Sequence, residues 1–288
     1  MMRREPSPTA ADTAPAWTLR KPGGPLALLA KFWAVLRITV AARFAYLGEL
    51  VVRSIFLVLI LFIFTQLWQA TSRSQDVLAL TGFGVAQLIW YLAFTEAIAV
   101  SSSPPDVDRE VRSGDIAYRI ARPLPYPLYQ LAAMLGERLL RFSLNLVIGC
   151  LVALVVVGPI QITPLGVIAA LTTAVFSFVA DRIWVLMIAL LSFWIEDTSG
   201  LQLLYSRAVM LLGGMLIPLD AYPTWLGNIA RALPFQYLMY QPGRLFVQPT
   251  VVGWLHVLSV QALMAVAGLI PLLLIYHLGL RRVSAQGG

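Results

Sequence analysis

Long apolar runs separated by short polar breaks fill residues 25–282. A helix needs about 20 predominantly apolar residues to cross a bilayer. On that measure the pattern predicts six spans, at about 50–70, 77–100, the run that begins after YPLYQLAAMLGERLLR (126–141) and continues to about Val157, 165–194, 201–218 and 252–278. The run near 165–194 is about 30 residues and so is expected to tilt, break or project. A further run at 25–46, PLALLAKFWAVLRITVAARFAY, is broken at even intervals by Lys31, Arg37 and Arg43, which share no helical face. A charge at mid-bilayer costs about 2.5–3.5 kcal/mol on insertion scales. This run is therefore expected to lie at the membrane interface, its basic side chains reaching the headgroups.

The main polar interruption is PPDVDREVRSGDIAYRIARPLPYP, residues 104–127, between the second and third spans. It reads as two short helices. Pro104 and Pro105 open the first, and Asp106 and Asp108 put negative charge in its first turn. Gly114 suits a left-handed end, and Asp115 can cap the second. In that second helix Ile116, Ala117, Ile120 and Ala121 share one side, while Arg119 and Arg122 sit three apart on another. A knob with one apolar face and a basic rim is either a solvated loop or a docking element for a soluble partner.

Composition agrees with membrane residence. Of 288 residues 59% are hydrophobic and 12% charged, with a mean hydropathy of +0.79, against about a quarter charged in soluble domains. The net charge of +7 does not point to nucleic acid, because the basic residues flank apolar runs as orientation signals do. Most lie in the N-terminal arm, in 104–127 and at the C-terminus, which predicts cytoplasmic termini. Residues 1–24 have no apolar run with a cleavage site, so no signal peptide is expected, only a loose tail; residues 283–288 form a second tail. The one cysteine, Cys150, excludes an intrachain disulfide.

Ionisable residues inside spans are functional candidates. They are Glu96, Asp181, Arg182 and Arg207. Neighbours on a helix point apart, so Asp181 and Arg182 are each expected to find a partner on another helix or in water, and Glu96 could meet Arg138 or Arg141. His256 and His277 are too few for a metal cluster. The stretch 218–250 holds Pro218, Pro223 and Pro234 around TWLGNIARAL, with Leu226, Ile229 and Leu233 on one face. It is too short to span and too apolar for water, so it is expected to re-enter the membrane or lie on its outer face.

The sequence contains no GxxxxGK[ST] phosphate loop, HExxH, CxxC or GxSxG. Two longer motifs carry a resemblance: EVRSGDIAYRIARPLPYPLYQLA at 110–132 and LSFWIEDTSGLQLLYSRAVMLLGGMLIPLDAYPTWLGNIARALPF at 191–235. In them, and in the order of parts over about 25–282, the chain resembles the membrane subunit of an ABC-2 type exporter, from the bacterial branch once held to be of unknown function. The resemblance implies an all-α polytopic membrane protein with six transmembrane helices, an N-terminal interfacial helix, a cytoplasmic coupling helix and an outer re-entrant segment. It implies no cofactor on this chain, ATP and Mg on a separate ABC ATPase present in two copies, a second permease chain, and the bacterial inner membrane. It also implies ATPase docking by Val107, Val111, Gly114, Ile116, Tyr118, Arg119, Ile120 and Arg122. A proton-coupled secondary transporter using Glu96 or Asp181 is the alternative, and an intramembrane enzyme using Ser177 or a histidine is a third class.

Overall fold

A computed structural model describes residues 24–286 apart from 46, 74, 75, 121, 123 and 196; the expected tail at 1–24 lies almost wholly outside them. Among the described residues all regular structure is helical. In chain order the helices are α1 (Pro25–Phe44), α2 (Leu47–Thr71), α3 (Val77–Thr81), α4 (Val85–Val100), α5 (Val107–Arg112), α6 (Ile116–Ile120), α7 (Tyr126–Val157), α8 (Pro164–Leu190), α9 (Ser199–Leu212), α10 (Thr224–Ala232), α11 (Tyr240–Val247) and α12 (Val251–Gln286). The protein is an all-α, polytopic membrane protein. Helix α12 extends through 283–286, where a tail was expected.

Among the described residues six segments are long and apolar enough to cross a membrane, but they are not quite the expected six. Pro25–Phe44 meets the criteria of length and composition, whereas the expected fifth span does not, because α9 has 14 residues. Its run ends at Gly213 and Gly214, the latter at φ +69, a left-handed conformation that glycine adopts without a Cβ penalty. The second span is broken near its start. Asp76 caps α3 by accepting from Leu78 N at 3.0 Å and Ala79 N at 3.3 Å, and Gly82 ends it.

Helices α4 and α8 are the most buried segments, and α7, α11 and α12 pack around them. Small residues permit the close crossings, as expected where helices meet in lipid. A Cβ on Gly149 of α7 would lie 3.2 Å from Ala93 O of α4, and one on Gly268 of α12 would lie 2.9 Å from Ile183 of α8. Aromatic rings fill the centre: Phe94 meets Phe142 at 5.7 Å and Phe246 at 4.8 Å between ring centroids, and Phe142 meets Phe178 at 5.1 Å.

After α9 the chain folds back into the bundle. Tyr240 N donates to Gly213 O at 2.9 Å, closing the intervening loop at its base. The Tyr91 hydroxyl donates to Gly214 O, and Thr95 Oγ1 to Met215 O at 2.8 Å. Deeper contacts come from Ser177 Oγ to Leu238 O at 2.8 Å and from Gln261 Nε2 to Tyr237 O at 2.7 Å. Ser177 lies about 20 Å along α8 from Pro164, at 1.5 Å per residue. The loop's carbonyls at Tyr237 and Leu238, in a 3-10 turn, therefore sit at span depth but are satisfied by side chains, the condition under which such backbone is tolerated there.

Candidate functional site

A cavity of about 680 Å³ opens between α4, α8, α9 and the linker that follows α4. One wall is apolar, with Phe56, Met210, Met215 and Met239. The other carries Glu96, Arg138, Asp181, Arg182 and Tyr205, with Arg207 also in the lining. The size is that of a small-molecule site.

The polar wall centres on Asp181. Its Oδ2 takes Arg138 from α7, and it takes Arg182 at 2.6 Å and 3.1 Å through two guanidinium nitrogens. Its Oδ1 accepts from the Tyr205 hydroxyl of α9 at 3.0 Å. Arg138 also lies over the Phe178 ring, 4.4 Å from its centroid. Arg182 continues to Ser102 Oγ and Ser103 O, both at 2.7 Å, in the linker after α4. The neighbours Asp181 and Arg182 were expected to seek separate partners. They do pair, because the long arginine side chain folds back over the turn. Asp181 nevertheless also has its partner on another helix.

Glu96 is 1% exposed, and its Oε1 has no hydrogen-bond partner among the described residues. It meets neither Arg138 nor Arg141: the first is taken by Asp181 and the second by Glu137. Arg207 is exposed on α9, with its guanidinium 3.7 Å from Met210 Sδ.

The 104–127 element is folded onto the bundle. Val107 is fully buried and Ile116 is 2% exposed, packed in one cluster with Tyr126, Leu186, Phe193 and Leu272; Val111 and Ile120 are half-buried against it. This corrects the expectation of a free apolar face. The spacing placed Ile116 and Ile120 on one side, and that side is turned inward because it is apolar and the ends of α8 and α12 lie beneath it. Gly114 has φ +77 and ends the first short helix as expected. Arg119 is ion-paired with Glu110 at 3.2 Å, and Glu110 also accepts from Tyr126 at 2.8 Å and Gln130 at 2.9 Å. Arg122 stacks on Tyr129 with its Cζ 4.9 Å from the ring centroid. Among the element's large apolar side chains Tyr118 faces outward, 82% exposed, on a surface it shares with the exposed Arg109, Arg112, Gly114, Asp115 and Arg122.

One contact could not be read in the sequence. Asp108 of α5 accepts from Thr198 N at 3.1 Å and from Thr198 Oγ1 at 2.7 Å, which places a carboxylate at the N-terminus of α9. Negative charge in that position is favoured by the helix dipole. Nearby, the Ser199 N–H donates to Asp197 at 2.8 Å and holds that exposed carboxyl below its usual range. Asp108 had been read only as a first-turn charge of its own helix.

Among the described residues no group of three or more His, Cys, Asp or Glu is arranged to hold a metal. Comparison with known families matches residues 55–287 to one described as "ABC-2 family transporter protein". Comparison with curated protein sequences gives no match.

Proposed function

Because the chain belongs to the ABC-2 transporter family, we propose that it is the permease subunit of an ATP-driven exporter that borrows its motor from a separate ABC ATPase. ATP and Mg are held by that partner. Two permease chains, identical or paralogous, line the path with two ATPases beneath, in the bacterial inner membrane with both termini cytoplasmic. The element 104–127 is the docking site. Its contact face is Tyr118 with Arg122 and the rim of Arg119, while Val107 and Ile116 hold the element to the bundle. The cavity between α4, α8 and α9 is the cargo chamber, and the loop at 214–239 covers its far end.

The observation that carries this reading is an aromatic ring, Tyr118, left in the open while Val107, Val111, Ile116 and Ile120 of the same element are packed inward. Exposed aromatic and arginine side chains are the residue types that dominate binding hot spots. The test is co-purification with a co-expressed ABC ATPase. Tyr118→Asp together with Arg122→Glu is expected to remove the ATPase while leaving the permease monodisperse and at parental yield. Undiminished co-purification refutes the docking assignment.

Partnerless Glu96 favours a second reading, a proton-coupled transporter with that carboxyl as carrier. Asp181 does not favour it, since two arginines share its charge. Transport abolished by a proton uncoupler and unaffected by deleting the ATPase would establish the second reading; the opposite pattern removes it.

A further inference from the structure

Helix α9 is weakly packed for a helix that forms a cavity wall. Over its 14 residues it buries Val209 alone, and Leu203, Leu204 and Leu211 point outward. Apolar burial therefore does not fix its position strongly. Polar ties do. At its start Thr198 is bound through both backbone and hydroxyl to Asp108. Two turns on, Tyr205 is bound to Asp181. Both anchors are largely buried: Thr198 is fully buried, Asp108 is 8% exposed and Asp181 5%.

These ties form a ring. From α5, Asp108 reaches Thr198 and so α9; Tyr205 reaches Asp181; Asp181 reaches Arg182; and Arg182 returns to Ser102 and Ser103, on the linker that leads into α5. The 104–127 element is thus joined to α9 directly at Asp108, and to α8 through the adjoining linker at Ser102 and Ser103. A buried, satisfied network of this kind has discrete rather than graded arrangements. It does not stretch freely when one member is pulled.

We propose that Asp108 is the positioning residue that carries movement of the 104–127 element into α9, so that displacing the element swings this wall of the cavity. Asp108 acts on the cavity only through Thr198 and does not contact cargo. The inference rests on the reading of 104–127 as the docking site. It goes beyond that reading by naming the bond through which a docked motor acts and the helix that moves.

The test is hydrogen–deuterium exchange on the full chain co-purified with its ATPase, with and without ATP and vanadate. In the unsubstituted complex, trapping nucleotide is expected to change exchange within 199–212 several-fold. In Asp108→Ala the ATPase is expected to co-purify in equal amount. Exchange within 199–212 should be raised in the absence of nucleotide, and the response to trapping should be lost there while α4 and α8 exchange as in the parent. Should Asp108→Ala fail to fold, Thr198→Val keeps the backbone bond to Asp108, removes the hydroxyl that donates to Asp108 and accepts from Gln202 Nε2 at 3.0 Å, and should at least halve the response. A full nucleotide response at 199–212 in either variant overturns the proposal and leaves the docking assignment standing. No response in the unsubstituted complex overturns both.

Discussion

Replacing Asp181 with Asn should be among the most damaging single-atom changes in this chain. The carboxylate is shared by Arg138 and Arg182, and all three residues are at most 5% exposed. Asparagine retains an oxygen for the Tyr205 hydroxyl, now at 3.0 Å from Oδ1, but it leaves two guanidiniums side by side with no counter-charge. Breaking a buried ion pair by removing one partner costs about 3–5 kcal/mol. At roughly 2–4 °C per kcal/mol, that lowers the apparent melting temperature by on the order of 6–20 °C. Arg138→Met is the internal control. It leaves a neutral Asp181–Arg182 pair and keeps an apolar group over Phe178, so it should cost about 1–3 kcal/mol. The assay is thermal unfolding in detergent followed by size-exclusion chromatography with fluorescence detection. Asp181→Asn melting within 2 °C of the parent, or Arg138→Met melting below Asp181→Asn, would show that the cluster is not organised around the shared carboxylate.

Ile116→Ala should destabilise the protein itself by about 2–5 kcal/mol, because Ile116 is 2% exposed in the cluster with Leu186 and Phe193; a normal melting temperature with lost ATPase would mean it is a surface contact after all. Gly243→Ala should lower the melting temperature by the equivalent of about 1–3 kcal/mol, since its Cβ would lie 2.6 Å from Thr95 Cγ2 and 2.8 Å from the Tyr91 ring; an unchanged melt would mean α11 is not seated on α4. Glu96→Gln should unfold at the same temperature or higher, because it removes a buried carboxylate without a partner; a large loss would reveal a partner for Glu96.

Most of the membrane architecture was legible in the sequence, because apolar runs of spanning length have few alternative uses. The short-helix elements around 104–127 and 218–250 were also recognisable from their proline, glycine and charge patterns. Direction was not. Helical spacing put Ile116 and Ile120 on one side but could not say whether that side met a partner or the ends of α8 and α12. The short α9 was read as a span because the apolar run continues past Leu212, while the turn at Gly213 and Gly214 that ends the helix lies within that run. The pairs that build the site join positions far apart in the chain, Arg138 with Asp181 and Asp108 with Thr198. No local pattern marks such pairs. Even Asp108, visible as a helix-start charge, serves the start of a different helix.

The account stands or falls on whether the outward face at Tyr118 meets the motor. A photo-crosslinking amino acid placed at Tyr118 in cells tests this most directly, with the same group at Val155, 86% exposed near the opposite end of α7, as reference. An adduct containing the ABC ATPase from position 118 and none from 155 is the expected result. An ATPase adduct from 155, or none from 118 while the complex is intact, would contradict it.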